Sequence, residues 1–184
     1  PREGISLAAL EDALRQHPIK SCLFMLNFAN PTGSLVKDER KKALINLLSR
    51  HKVPLIEDDV YAELYFGRVA PLCSKAEDTD GLVMHVSSFS KCLAPGYRLG
   101  WVAAGRYANK IERIKLSTSL ATTIPVQIAL ADYLKHGAYE NHLRQLRRRL
   151  AEQEATLVAS IEKHFPLGTR LARPLGGYFL WLEL

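Results

Sequence analysis

Short apolar runs alternate with amphipathic helical segments in the first half of the chain. Residues 37–52 have the leucine spacing of an amphipathic helix and lie between two runs of strand type. Apolar strands that alternate with helices need cover on both faces. We therefore predict an α/β fold, with a mostly parallel sheet flanked by helices. The predicted strands are 21–28, 53–59, 81–88 and 98–105.

Predicted helices precede and follow these alternating strands and helices. Ser6 is a candidate N-cap for a helix over residues 7–17, which Pro18 ends. The second half predicts three successive helices, over 106–120, 124–137 and 138–165. Strand character returns over 169–184, with Gly176 and Gly177 as a turn.

Composition narrows the class of protein. The chain has 184 residues and is 47% hydrophobic, and its formal charge of +6 weakly favours anionic partners such as phosphates or nucleic acid. Its three cysteines are odd in number and lack CxxC spacing, which argues against a disulfide framework or zinc site and favours the cytoplasm. No apolar run approaches the roughly 20 residues that span a bilayer, and the charged start does not resemble a signal peptide.

Both ends of the sequence look cut. The chain starts in the polar stretch PREG and stops within GYFLWLEL, which has the pattern of a core strand. We therefore expect it to be a fragment of a longer polypeptide.

Three polar clusters lie where predicted strands end: NPTG (30–33), EDDVY (57–61) and SSFSK (87–91). In open α/β sheets, ligands bind at the carboxyl ends of the strands. Each cluster alone has an ordinary interpretation, as a turn, a solvated or magnesium-binding acid loop, or a surface lysine. Together they place an amide, a carboxylate, a phenol, hydroxyls and an amine at one edge.

Pyridoxal phosphate chemistry uses this combination of groups. A lysine amine forms a Schiff base with the cofactor, and a carboxylate keeps the pyridine nitrogen protonated so that the ring accepts electrons. Tyrosine and asparagine can hydrogen-bond the phenolic oxygen, while serine hydroxyls and an arginine hold the phosphate.

The order NPTG, acidic cluster, SFSK and APGYRLGW resembles the fold-type I pyridoxal-phosphate enzymes of the aspartate aminotransferase superfamily. The resemblance implies that Lys91 is the catalytic, Schiff-base lysine and that Asp58 pairs with the pyridinium nitrogen. It implies contacts of Tyr61 and Asn30 with the phenolic oxygen. It further implies that the phosphate ligands are Ser88, Ser90 and Arg98.

The chain is most similar to the aminotransferase-like domain of MocR-type regulators in the GntR family. The sequences that carry this similarity are LIEDDVYAELYF, SSFSKCLAPGYRLGWV and RPLGGYFLWLEL. This resemblance implies a cytoplasmic homodimer that senses an amino acid or amine. It also implies DNA binding through an N-terminal winged helix-turn-helix outside this fragment. Similar sequences occur in free-standing enzymes that resemble aminoadipate and kynurenine aminotransferases. A stand-alone aminotransferase therefore remains the alternative, and the sequence leaves open whether the protein is an enzyme.

The resemblance also implies a domain division. Residues 1–137 would be part of the cofactor-binding large domain, and 138–184 a connecting helix with the first strands of the small C-terminal domain. The residues that stack on the pyridine ring and support the phosphate would precede Pro1. The arginine for the substrate carboxylate would follow Leu184, so the fragment alone is not expected to be active.

Other candidate residues have structural interpretations. We expect Cys92 to pack rather than react, and Glu57 and Asp59 to be structural. The histidines show no paired metal spacing, so no metal is expected. RQLRRRL (144–150) fits a solvated helix face better than a nucleic-acid stripe. A metal-dependent phosphotransfer enzyme using EDD is a weaker alternative, because the chain contains no P-loop.

Overall fold

The computed structural model describes residues 4–184, so residues 1–3 of the polar start PREG lie outside the described part. Its helices are α1 (Leu7–Gln16), α2 (Asp38–His51), α3 (Ala108–Ser119), α4 (Ile124–Lys135) and α5 (Ala138–His164). Its strands are β1 (Cys22–Phe24), β2 (Leu55–Asp58), β3 (Val83–Ser88), β4 (Gly100–Ala103), β5 (Arg170–Ala172) and β6 (Trp181–Glu183). None of these helices combines the length and hydropathy needed to cross a membrane.

The main sheet has the order β1-β2-β3-β4. The pairs β1–β2 and β2–β3 are parallel, which confirms the predicted α/β arrangement, and α2 forms the crossover between the first two strands. The β4 strand runs antiparallel to β3. The segment between them is too short for the crossover helix that a parallel pair needs. Because β1, β2 and β3 are parallel, the loops at their carboxyl ends meet at one edge.

The helices that pack on this sheet form as their sequences predict. The Ser6 hydroxyl accepts a hydrogen bond from the Ala9 backbone N–H (3.3 Å) and caps α1. Helix α2 has acidic residues in its first turn, and the residue that caps its C-terminus, Lys52, has the left-handed conformation. The apolar faces of α1 and α2 pack with the sheet in one core cluster, which contains Leu14, Leu44 and Leu55.

A second core cluster joins α5 to the loops at the carboxyl edge of the sheet. Its buried members are Phe28, Tyr61, Leu64, Cys92, Tyr139 and Leu143. The strands β5 and β6 pair antiparallel in a separate sheet. An isolated β-bridge between Tyr65 and Gly176 helps to tie the segment before β6 to the loop after β2. The C-terminal elements are therefore attached directly to the edge where the polar clusters lie.

Candidate functional site

The alternation of side chains along β2 separates the three acids of the EDD cluster. Glu57 and Asp59 are buried, with 0% and 4% of their surface exposed, whereas Asp58 between them is only partly buried. Successive residues of a strand point to opposite faces, so Asp58 faces away from the other two. The three carboxylates do not converge on one point, which argues against the magnesium-type acid cluster.

A buried hydrogen-bond network holds Glu57 behind the site. Its carboxylate accepts hydrogen bonds from the backbone N–H groups of Ser74 (2.6 Å) and Lys75 (3.3 Å), and the His85 Nδ1 atom lies 2.9 Å from Oε2. Burial opposes ionisation of Glu57, but the hydrogen bonds with His85 and Ser74 hold its pKa below the ordinary value. The expectation that Glu57 is structural therefore agrees with its surroundings.

Asp59 lies in the same network. The Asn27 side-chain amide donates a hydrogen bond to Asp59 Oδ1 (2.9 Å), and His85 Nδ1 lies 3.9 Å from Asp59 Oδ2. Burial and the nearby Glu57 carboxylate raise the pKa of Asp59 to about 6. Burial opposes protonation of His85, yet its hydrogen bond with Glu57 and the charge of Asp59 raise the His85 pKa.

Glu57, Cys73 and His85 also form a group of potential metal ligands. Their ligand atoms lie within 4.8 Å of one another. The Glu57 carboxylate, however, is already occupied by the two backbone N–H groups and the His85 ring. We interpret the group as part of the hydrogen-bond network, and the absence of a metal site remains a prediction.

Lys91 and Tyr61 come together at the carboxyl edge of the sheet. Lys91 lies in the turn that follows β3, and its side chain is exposed. Its Nζ atom lies 5.9 Å from the centroid of the Tyr61 ring. Tyr61, three residues after Asp58, is only 3% exposed and is held by the rings of Tyr178 and Phe179, both packed edge-on. A buried aromatic ring therefore lies beside an exposed amine.

Ser88, Ser90 and Arg98 lie along the loop that surrounds Lys91. Ser88 is the last residue of β3 and pairs with Gly100 in β4. The Arg98 guanidinium donates a hydrogen bond to the Ser90 hydroxyl (3.4 Å). Arg98 itself has a φ of 50°, just before β4 begins. Two hydroxyls and a guanidinium thus lie on residues within and beside the turn that carries Lys91, a donor set suited to a phosphate.

The loop of Asn30 reaches this edge through its backbone. Two hydrogen bonds close it, from the Ala29 N–H to the Ser34 carbonyl (2.9 Å) and from the Gly33 N–H to the Ala29 carbonyl (2.7 Å). A Cβ atom at Gly33 would lie 3.1 Å from the carbonyl oxygen of Phe179, so the loop packs closely against the residue that touches Tyr61. The Asn30 side chain is exposed.

Cys92 is a packing residue, as its sequence context suggested. It is 2% exposed, and the Tyr139 hydroxyl donates a hydrogen bond to its sulfur (3.0 Å). Burial raises the pKa of the Cys92 thiol to about 12. A histidine does lie close, since His142 Nε2 is 2.8 Å from the Cys92 carbonyl oxygen, but it contacts the backbone rather than the sulfur.

The basic stretch 144–150 is less uniformly solvated than we predicted. Arg144, Arg148 and Arg149 are exposed. Arg147 instead donates a hydrogen bond to the Glu63 carbonyl (2.7 Å), and its guanidinium lies 4.1 Å from the centroid of the Tyr65 ring. This arginine therefore ties α5 to the loop after β2.

Sequence reasoning missed the residues that approach the site from the C-terminal segment. The Tyr178 hydroxyl donates a hydrogen bond to the Lys91 carbonyl (2.6 Å), and Phe179 packs on Tyr61. The paired glycines before Tyr178 did predict a tight turn, but no local signal identifies a contact 87 positions away in sequence.

The fold with this site defines an aspartate aminotransferase-like protein. Pyrococcus horikoshii kynurenine aminotransferase, solved with PMP, superposes with a TM-score of 0.94 at 30% identity, over 100% of this chain and 47% of that chain. A second structure is LysN, the α-aminoadipate aminotransferase of Thermus thermophilus, complexed with N-(5'-phosphopyridoxyl)-L-leucine. It superposes with a TM-score of 0.92 at 31% identity, over 100% of this chain and 48% of that chain. The expected similarity to these two kinds of enzyme is confirmed.

The family model for aminotransferase class I and II matches residues 2–184, so the chain belongs to that family. Two curated relatives from Escherichia coli are the uncharacterized HTH-type transcriptional regulators YdcR, 50% identical over the whole chain, and YjiR, 41% identical over the whole chain. The chain spans 39% of the length of each of these relatives.

Proposed function

We propose that this chain is the pyridoxal-phosphate-binding part of an HTH-type transcriptional regulator of the MocR type. The observation that carries the cofactor assignment is the Lys91 amine, which lies beside the Tyr61 ring in a turn whose Ser90 hydroxyl accepts a hydrogen bond from the Arg98 guanidinium. Support for the regulator comes from the names of the curated relatives, which match the whole chain at 50% and 41% identity.

The residues present fit pyridoxal phosphate. The cofactor supplies an aldehyde that bonds reversibly to amines and a ring that accepts electrons. Lys91 is the covalent anchor, and Asp58, on the face of β2 opposite the buried acids, pairs with the ring nitrogen. Tyr61 and Asn30 bind the phenolic oxygen. The phosphate is held by Ser88, Ser90 and Arg98.

The partners follow from the regulator assignment. We propose that the protein forms a cytoplasmic homodimer, responds to an amino acid or amine, and contacts DNA through a winged helix-turn-helix outside this chain. Residues 1–137 belong to the large cofactor-binding domain, and 138–184 form the connecting helix and the first strands of the small domain.

The test of the cofactor assignment is a visible absorbance spectrum of the full-length protein with pyridoxal phosphate. Wild-type protein should show the band of a cofactor bonded to lysine, and borohydride should fix that bond on Lys91. Lys91→Ala should abolish the band because no amine remains at that position. The matched control is Lys110→Ala, which removes an exposed lysine from α3 and should leave the band unchanged. A borohydride-fixed cofactor in Lys91→Ala would show that the assignment is wrong.

The regulator is distinguished from a stand-alone aminotransferase by two measurements on the full-length protein. DNA binding in a gel-shift assay that changes when pyridoxal phosphate and an amino acid are added supports the regulator. Sustained turnover of an amino acid and a 2-oxo acid, with no DNA binding, would instead support the enzyme.

A further inference from the structure

We infer that Tyr178 is a positioning residue for Lys91, a role that rests on the proposed function of Lys91 as the cofactor anchor. Its hydroxyl donates a hydrogen bond to the Lys91 carbonyl oxygen at 2.6 Å. Its ring packs edge-on against Tyr61, with a centroid distance of 6.1 Å. One side chain thus contacts the backbone of the amine-bearing residue and the ring beside its amine.

The turn that carries Lys91 depends on such contacts. The N–H groups of Leu93 and Ala94 both donate to the Phe89 carbonyl, at 2.9 and 3.0 Å, which closes the turn from within. The carbonyls of Lys91 and Cys92 instead meet side chains from outside the turn, as carbonyls at the end of a helical turn commonly do. Tyr178 binds the first and His142 Nε2 lies 2.8 Å from the second. Two consecutive carbonyls are therefore held by side chains from other parts of the chain, one from the segment before β6 and one from α5.

The Gly176–Gly177 turn fixes Tyr178 in place. The Gly177 N–H donates to the Leu64 carbonyl (2.9 Å), and Gly176 bridges to Tyr65. A Cβ atom at position 176 would lie 2.6 Å from the Leu64 carbonyl oxygen. Because only glycine allows the backbone to approach so closely, the turn docks directly on the loop that follows Tyr61.

This docking matters for the amine because the lysine side chain is long and flexible. Lys91 is exposed, so packing does not restrict its side chain, and its backbone determines the region that Nζ can reach. Holding the Lys91 carbonyl restricts the turn before cofactor arrives and lowers the ordering that binding requires. Loss of one such hydrogen bond, worth roughly 1 kcal/mol, corresponds to about a fivefold change in an equilibrium or rate.

The test compares Tyr178→Phe with Tyr97→Phe in the full-length protein. Both changes remove only a phenolic oxygen, and the two residues are similarly exposed, at 46% and 47%. The first measurement is amide hydrogen exchange of residues 89–94 without cofactor, with α2 as an internal reference for global stability. The second is the rate at which pyridoxal phosphate forms the borohydride-reducible bond to Lys91.

In Tyr178→Phe we expect the amide hydrogens of residues 89–94 to exchange about fivefold faster than in wild type, while exchange in α2 is unchanged. The rate at which pyridoxal phosphate bonds to Lys91 should fall by a similar factor. Tyr97→Phe should match wild type in both measurements. Unchanged exchange and capture in Tyr178→Phe, while wild type bonds the cofactor normally, would overturn the inference and leave the proposed function intact. Equal slowing by Tyr97→Phe would also overturn it. Failure of wild type to bond the cofactor at Lys91 would reject the proposed function itself, and the positioning role with it.

Discussion

The buried carboxyl group of Asp59 should make the stability of the protein depend on pH. Asp59 is 4% exposed, and burial together with Glu57 raises its pKa from 3.8 to about 6. A carboxyl group whose pKa is higher in the folded state than in the unfolded state binds its proton more tightly when folded. Its contribution therefore becomes unfavourable as pH rises from 3.8 towards 6 and is fully unfavourable above that value.

The expected magnitude follows from linkage. A difference of one pKa unit corresponds to about 1.4 kcal/mol, so the full cost approaches roughly 3 kcal/mol, of which roughly 1 kcal/mol develops between pH 5 and pH 8. Asp59→Asn removes the titrating group but keeps an oxygen that can accept the hydrogen bond of the Asn27 amide. The variant should therefore gain roughly 1 kcal/mol relative to wild type as pH rises from 5 to 8.

Two neighbours shape the pH window of this experiment. The raised pKa of His85 contributes stability at low pH, and that stability is lost as pH rises through the folded value, in the same direction as the Asp59 effect. Because the pKa of Glu57 is lowered in the folded state, this carboxyl group stabilises the protein above pH 4.5, and that stability is lost only at lower pH. Between pH 5 and pH 8 the titration of Glu57 contributes little to the comparison, because its pKa is below 4.5. Subtracting the free energy of unfolding of wild type from that of the variant removes the part of the His85 contribution that both proteins share.

The assay is urea unfolding of the full-length protein without cofactor at several pH values, followed by tryptophan fluorescence. Trp101 reports on the region because its ring centroid lies 5.1 Å from that of His85. The matched control is Asp58→Asn, the same chemical change on the opposite face of β2, which tests whether burial produces the effect. Parallel pH profiles for wild type and Asp59→Asn would refute the reasoning.

Two further predictions concern the packing around the site. Gly177→Ala should destabilise the protein by about 1–3 kcal/mol, because Gly177 has a φ of 80° and an added Cβ would lie 2.9 Å from the Phe28 Cβ. Thermal unfolding measures the loss of stability. The control is Gly67→Ala, because a Cβ at that position meets nothing within 4 Å. Cys92 should react with a thiol reagent far more slowly in folded than in urea-unfolded protein, because burial raises its pKa to about 12. Mass spectrometry of labelled peptides measures this, and equal rates in both states would contradict it.

The positions of the polar clusters could be predicted because they depend on local patterns. Apolar runs of strand length, separated by helix signals, predict that Asp58 and Lys91 lie at the ends of strands, and parallel pairing brings those strand ends to one edge. The direction of β4 could have been inferred from the short segment after β3. The helix bounds agree with the predicted segments to within a few residues, because caps such as Ser6 are local as well.

Contacts between distant segments could not be predicted in the same way. Tyr178 reaches the Lys91 carbonyl only because the Gly176–Gly177 turn docks on the loop after β2, and that docking depends on tertiary packing. The pairing of His85 with Glu57 likewise follows from the register of β2 against β3, in which the two residues are direct partners. Sequence reasoning gave His85 no role, because a single histidine in an apolar strand carries no signal of its partner.

The register also explains how one short strand can serve both stability and chemistry. Glu57 and Asp59 point to the face where His85, Asn27 and the backbone of Ser74 hydrogen-bond them, so both side chains are held in the interior at the carboxyl end of β2. Asp58 is left on the other face, on the last residue of the strand, where the proposed function places the ring nitrogen of the cofactor. A shift of register by one residue would exchange the two faces and bury Asp58 in place of its neighbours. The buried network therefore determines which of three adjacent carboxylates is presented to the site.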